Sequence, residues 1–257
     1  MKNIVIRNIA VAALAASTAS FALAAPPGIQ AGDKIKLSSN PWGGVNGGGE
    51  FLASALTGNS PSFQTFCVEY SEHFYYDKPL LVSKVNHGAK NGGAGGSVID
   101  PLGDPDGLGP YTNKWDPISD KTAYLFTKFT NHTLSGYDWN GTVAEHKLDS
   151  AALQLAIWYL EGEISSTVNT SVYNLYTSDT RATGWVAEAN QNATGWNGQV
   201  RVLNLLREST PFSGNFDTVA QDQLYLAPIP EPETYAMMLA GLGLIGFVAG
   251  RRRRKLS

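Results

Sequence analysis

Two residues of this chain have the types that could close a bond with each other: its single cysteine, Cys67, and Gln154, a lone amide in an otherwise apolar segment. One cysteine excludes a disulfide framework within the chain, so Cys67 is either a small buried hydrophobe or a reagent. A thiolate that attacks the side-chain carbonyl of a glutamine expels ammonia and leaves an internal thioester, an electrophile that an amine or alcohol can later open. Such a bond needs close contact and a pocket dry enough to hold off hydrolysis. Phe66 and Trp158 are the aromatic neighbours in sequence that would shelter it.

Each residue needs an element to carry it. Phe63-Gln64-Thr65-Phe66-Cys67-Val68-Glu69-Tyr70 alternates in the manner of a half-buried strand. Alternation puts Phe63, Thr65, Cys67 and Glu69 on one side and Phe66, Val68 and Tyr70 on the other. Asp149 to Gly162 reads as a helix of about three turns, with Asp149 or Ser150 as N-cap and Gly162 just past the end. Between those ends only Gln154 is polar, apart from the closing Glu161, which places the helix in the interior. A buried primary amide left without partners costs about 1 to 3 kcal/mol, so Gln154 requires either hydrogen bonds or a covalent role.

Thr65-Phe66-Cys67-Val68-Glu69 and Leu153-Gln154-Leu155-Ala156-Ile157-Trp158 resemble the two signature blocks of bacterial surface thioester domains. The resemblance covers roughly Lys34 to Leu206, and the Gln-x-Ala-Ile-Trp block is the more specific of the two. It implies a cysteine on a strand, a glutamine on a helix, and a bond that tethers the domain to a target nucleophile. Cys67 would then be the thioester thiol and Gln154 the acyl donor. Members of that family sit at the tips of Gram-positive adhesins or pili on long stalks; this sequence shows neither a stalk nor a sortase signal.

Other chemistry finds little support. His73, His87, His132 and His146 show no paired metal spacing and no H-E-x-x-H, and no C-x-x-C is possible, so neither metal nor cofactor is expected. No G-x-S-x-G or nucleotide loop occurs. A hydrolase built on Cys67 with His73, His87 or His132 has nothing to mark one histidine over another. Asp100, Asp104 and Asp106, among prolines and glycines, read as consecutive turns or as a loose calcium loop without regular ligand spacing.

Strands are expected at Lys34 to Leu37, Gly49 to Ser54, Leu80 to Val85, Val200 to Leu205 and Leu224 to Ala227, around the Cys67 strand. Helices are expected at Ser119 to Thr130 and Trp185 to Gln191. The glycine clusters Gly43-Gly44, Gly47 to Gly49 and Gly92 to Gly96 read as surface loops. The fold class is α+β, a β-rich sandwich or barrel-like scaffold with a helical subdomain that brings Cys67 and Gln154 together.

Both ends carry addresses. Lys2 and Arg7, the apolar run Ile9 to Leu23 and Ala22-Leu23-Ala24 form a signal peptide over residues 1–24. At the other end, residues 228–257 hold Pro230-Glu231-Pro232, an apolar run from Tyr235 to Ala249, and Arg251-Arg252-Arg253-Arg254-Lys255. A helix through that run is short for a bilayer, and the basic cluster fixes its end on the cytoplasmic side. This tripartite tail resembles the PEP-CTERM sorting signal of Gram-negative bacteria that make an extracellular polymer matrix. The resemblance implies processing near the Pro-Glu-Pro by an exosortase, with membrane anchoring before processing and the cell surface or matrix afterwards.

Between the ends lies one domain, residues 25–227. The ends hold 7 of the 19 basic and 2 of the 22 acidic residues, leaving a net charge of about −8, which argues against nucleic acid or anionic lipid as partner. The expected function is covalent attachment through a Cys67–Gln154 thioester to a protein amine or a polysaccharide hydroxyl. That event is single-use and not enzymatic. The alternative is a noncovalent carbohydrate-binding or structural matrix module, with exposed aromatics among Trp42, Trp115, Trp139, Trp185 and Trp196 stacking on sugars.

Overall fold

Alternation in Lys34–Ser38 (β1) buries Ile35 and Leu37 completely and leaves the lysines at its surface, the period-two pattern of a sheet with one face in the core. The computed structural model describes residues 28–228 except 40–42, 59, 91–97, 100–113, 194, 196–198 and 211–212, together with Gly241 and Leu242. The chain divides into two compact units, residues 26–229 and the two ends taken together. Of the ends only Gly241 and Leu242 are described, both helical. The signal peptide, the rest of the expected transmembrane helix, Pro230-Glu231-Pro232, Arg251 to Arg254 and Asp100, Asp104 and Asp106 therefore lie outside the described residues. Among the described residues no helix is long and apolar enough to cross a membrane.

In the larger unit, β1 pairs antiparallel with Phe51–Ala55 (β2), which pairs with Phe63–Thr65 (β3). On its other side β1 meets Pro79–Asn86 (β4). Three short strands follow, Gly88–Lys90 (β5), Val98–Ile99 (β6) and Lys114–Pro117 (β7), forming a separate sheet in the order β5-β7-β6. Four helices come next: Asp120–Thr130 (α1), Val143–Leu160 (α2), Thr170–Ser178 (α3) and Thr180–Asn192 (α4). The chain then returns to the main sheet with Val200–Glu208 (β8) and Phe216–Leu226 (β9), completing the order β3-β2-β1-β4-β8-β9.

The sheet's two edges meet through the residues just after β3. Leu224 N donates to Phe66 O (3.0 Å), Val68 N donates to Asp222 O (3.1 Å), and Cys67 stands opposite Gln223 in an isolated antiparallel bridge. These bonds satisfy edge groups that would otherwise stay open, giving the main sheet a barrel-like closure with Cys67 in the seam. The expected continuous strand over Phe63 to Tyr70 is thus split: it pairs with β2 as far as Thr65 and changes partner to β9 at Phe66. Because it has neighbours on both sides there, Phe66, Cys67, Val68 and Glu69 are all buried, and no side of this stretch faces water.

The expected strands recur with shifted ends; β9 departs most, beginning at Phe216, well before Leu224. Helix α1 keeps Ser119 as its N-cap, the hydroxyl accepting from Thr122 N. The Gln154 helix starts earlier than expected, at Val143, because Thr142 and Glu145 form a reciprocal capping box, a pattern exposed polar residues had hidden. Asp149 and Ser150 therefore lie inside the helix as buried hydrogen-bonding groups, not as caps. Gly162, at φ +76°, follows the last turn as expected. Helix α4 begins at Thr180, where the Asp179 carboxylate caps Arg181 N and Ala182 N.

Candidate functional site

The strand seam and helix α2 bring Cys67 and Gln154 into direct contact, both fully buried. The Gln154 amide lies along the Cys67 backbone: its Nε2 donates to Cys67 O (2.9 Å), and its Oε1 accepts from Cys67 N (3.1 Å). A second backbone donor, Gly49 N, reaches the same Oε1 at 2.9 Å. Two N–H groups at these distances form the arrangement that stabilises negative charge developing on a carbonyl oxygen. The amide is thus satisfied as a buried polar group, with two backbone donors on its carbonyl oxygen.

Glycine makes this approach possible. Gly47, Gly48 and Gly49 follow a turn in which Gly47 and Gly49 have φ of +83° and +124°, conformations that disfavour a side chain. Gly48 lies flat against the site: a Cβ there would stand 2.5 Å from the Trp158 ring and 2.8 Å from Gln154 Cγ. Gly48 and Gly49 are buried, so the expectation of a surface loop fails at these two positions. The chain enters the interior because only a bare backbone fits between Trp158 and Gln154.

The wall is aromatic and dry. Trp158 and Phe66, the two expected pocket residues, are both fully buried. Trp158 packs edge-on with Tyr70 at 5.0 Å, and Phe66 packs edge-on with Phe129 at 5.0 Å. On the sulfur side Gln223 Nε2 lies 3.5 Å from Cys67 Sγ. Burial drives the Cys67 thiol far above the ordinary thiol range, with the Gln223 contact acting against that shift. The phenol of Tyr76, nearly half exposed, is raised by its own partial burial and then by Cys67, next to an aromatic cluster. Tyr76 packs there with Phe74 and Phe51 at 5.2 and 5.9 Å.

A second buried network braces Gln154 from below. Glu50, the residue after Gly49, donates its N–H to Ser150 Oγ (2.9 Å), one turn before Gln154 on α2. Its carboxylate accepts from Tyr137 Oη (2.7 Å), contacts His146 Nε2 (2.6 Å) and receives Gln64 Nε2. Backbone and side chain of Glu50 thereby pin the glycine turn to the first half of α2. Neither the Glu50–His146–Tyr137 cluster nor Gln223 was marked by spacing in the sequence, because each forms only when distant segments pack.

Among the described residues no hydrogen bond or ion pair joins His73, His87 or His132 to Cys67, and His146 is engaged by Glu50, so no Cys-His pair is assembled there. Of the aromatics offered as sugar platforms, Trp185 is a core residue whose Nε1 donates to Ser135 O, and Trp139 stacks on His132 and packs at a tilt against Tyr137. Trp115 is half-buried, and Trp42 and Trp196 lie outside the described residues.

No curated protein and no solved structure matches the chain. One family model does: residues 228–254 match the PEP-CTERM protein-sorting motif. That match covers the Pro-Glu-Pro, the apolar run and the arginines read from the sequence. The tail makes this chain an exported protein, sorted to the cell surface by an exosortase.

Proposed function

We propose that Cys67 and Gln154 close an internal thioester and that the exported domain spends it once, capturing a nucleophile covalently. The observation that carries this reading is the pair of backbone donors, Cys67 N and Gly49 N, on the Gln154 carbonyl oxygen, with the thiol on the same residue as one donor. In the forming step Cys67 Sγ adds to Gln154 Cδ, and charge gathers on Oε1 between the two N–H groups. The thiol proton passes to Nε2, the Cδ–Nε2 bond breaks and ammonia leaves. In the capturing step an amine or hydroxyl adds to Cδ, the Sγ–Cδ bond breaks, and the acceptor's proton returns to sulfur. The acceptor stays bonded to residue 154 and the thiol is free.

Two features support a bond that waits. The dry aromatic wall excludes water, and a thiol whose pKa burial has raised is a poor leaving group, which slows opening by a weak nucleophile. Gln223 Nε2 is the donor placed to receive the sulfur when a strong nucleophile arrives. The acceptor is a protein amine or a polysaccharide hydroxyl, met at the surface or in the matrix after exosortase processing near Pro230-Glu231-Pro232. No turnover follows.

A fluorescent primary amine tests this. The domain is expected to take up one label, resistant to denaturation and mapped to residue 154, and to take up none as Cys67→Ala or Gln154→Ala. Absence of label from folded wild type, with reversible polysaccharide binding that survives Cys67→Ser, would instead support the noncovalent matrix module.

A further inference from the structure

Next to the Cys67–Gln223 seam lies a buried group of carboxylates that covalent capture does not use. Glu69 is two residues beyond Cys67, and Asp222 directly precedes Gln223; the edge pairing brings them together although they are 153 positions apart. Ligand oxygens of Glu69, Glu72 and Asp222 all lie within 4.8 Å of one another. Glu69 and Asp222 are 1% and 0% exposed, so water does little to screen them. Glu163, 1% exposed, faces Glu69 as well, while its Oε2 accepts from Tyr70 N. The cation facing Asp222 is Lys90, fully buried on β5. Carboxylates gathered this closely in the interior are costly to keep charged.

The hydrogen bonding is also incomplete. Asp222 is well held, its Oδ2 accepting from Lys90 N (2.9 Å) and Asn204 Nδ2 (2.7 Å) and its Oδ1 from Leu205 N (2.8 Å). Glu69 Oε2 accepts from Asp222 N at 3.3 Å, but Glu69 Oε1, equally buried, receives no hydrogen bond. The amide oxygen of Asn204, on the residue that grips Asp222, is a second buried acceptor without a donor. Buried oxygens beside clustered carboxylates, with no donor to meet them, are the environment a hard cation completes.

We infer that Glu69, Glu72 and Asp222 form a binding site for a divalent cation with oxygen preference, Ca²⁺, which clamps the Cys67 segment to β9. The ligand set is oxygen only, which disfavours zinc. Local spacing could not reveal it, since Asp222 joins Glu69 and Glu72 only when the sheet closes. The inference is independent of whether the thioester forms.

The test uses full-length protein in mild detergent, stripped with chelator and titrated calorimetrically with Ca²⁺ at pH 7.5, with thermal melts alongside. Saturable binding of one ion and a rise in melting temperature are expected, both weakened about tenfold or more in Glu69→Gln and in the partly exposed Glu72→Gln. Asp104→Asn, in the Asp100–Asp106 segment, is expected to leave binding unchanged. Absence of binding by folded wild type overturns the inference and leaves a proton shared among the carboxyls as the compensation. Binding that survives Glu72→Gln, or that Asp104→Asn abolishes, places the ion elsewhere and overturns it equally. Glu72→Gln decides the matter even where Glu69→Gln does not fold.

Discussion

A single methyl group at Gly48 separates a site built by close packing from one that tolerates rearrangement. In Gly48→Ala the new Cβ would lie 2.5 Å from Trp158 and 2.8 Å from Gln154 Cγ. Reaching ordinary contact at 3.4 Å requires openings of roughly 0.9 Å at the ring and 0.6 Å at the amide. Neither neighbour can swing into solvent, since both are fully buried. Overpacking of this kind costs about 1 to 3 kcal/mol, and at roughly 2 to 4 °C per kcal/mol for a domain of this size the melting temperature should fall by about 2 to 12 °C. The same displacement carries Gln154 Oε1, now 2.9 Å from Gly49 N, out to the limit of hydrogen bonding. Loss of one such donor slows carbonyl chemistry by about 100- to 1000-fold, so loss of ammonia after refolding should slow by a similar factor. Thermal melts and a mass time course measure the two effects together. Gly184→Ala, in α4 with open space around it, is the control and should stabilise by about 0.5 to 1 kcal/mol. A Gly48→Ala protein that melts with wild type and closes the bond at the wild-type rate would refute the packing argument.

Three further outcomes follow from the same structure. His146→Leu strips the buried Glu50 carboxylate of a partner at 2.6 Å and should cost about 3 to 5 kcal/mol by urea unfolding; a loss below about 1 kcal/mol would mean that Tyr137 and Gln64 suffice. Trp158→Ala should cost about 3 to 5 kcal/mol as a cavity and leave any thioester open to water, so that its hydrolysis, followed by mass, quickens. In chelator, stability should also fall with pH over part of its range: burial raises Asp222 to about 7 from an unfolded value of about 4, so the folded state holds the extra proton between those limits. The contribution is whole below pH about 4 and gone above about 7; urea midpoints should show a shallower fall in Asp222→Asn, and an identical slope would remove Asp222 as its source.

The contact between Cys67 and Gln154 was legible because each member broke a local pattern: Gln154 is a polar residue in an apolar helix, and Cys67 has no partner for a disulfide. Their shelter was legible for the same reason, since Phe66 and Trp158 are fixed to them by strand and helix spacing. Gly48 and Gly49 are buried where a glycine cluster predicts surface, because glycine permits a turn and a close approach alike and sequence does not say which is in use. Gln223, Glu50 and Asp222 gave no signal; they act through the closure of β3 onto β9 or through packing of the glycine turn on α2, which only long-range pairing creates. Helix α2 began early because a capping box on exposed residues carries no hydrophobic mark.

The most direct measurement is the intact mass of residues 26–229, purified without reductant, before and after methylamine, with Cys67→Ala and Gln154→Ala alongside. The expected result is a wild-type mass one ammonia below that of the sequence, which rises by one methylamine on treatment, while both variants keep their full sequence masses and add nothing. A folded wild-type domain with the mass of the plain chain, whose Cys67 reacts as a free thiol once unfolded, would contradict covalent capture and leave Gln154 as a hydrogen-bonded strut beside an inert cysteine.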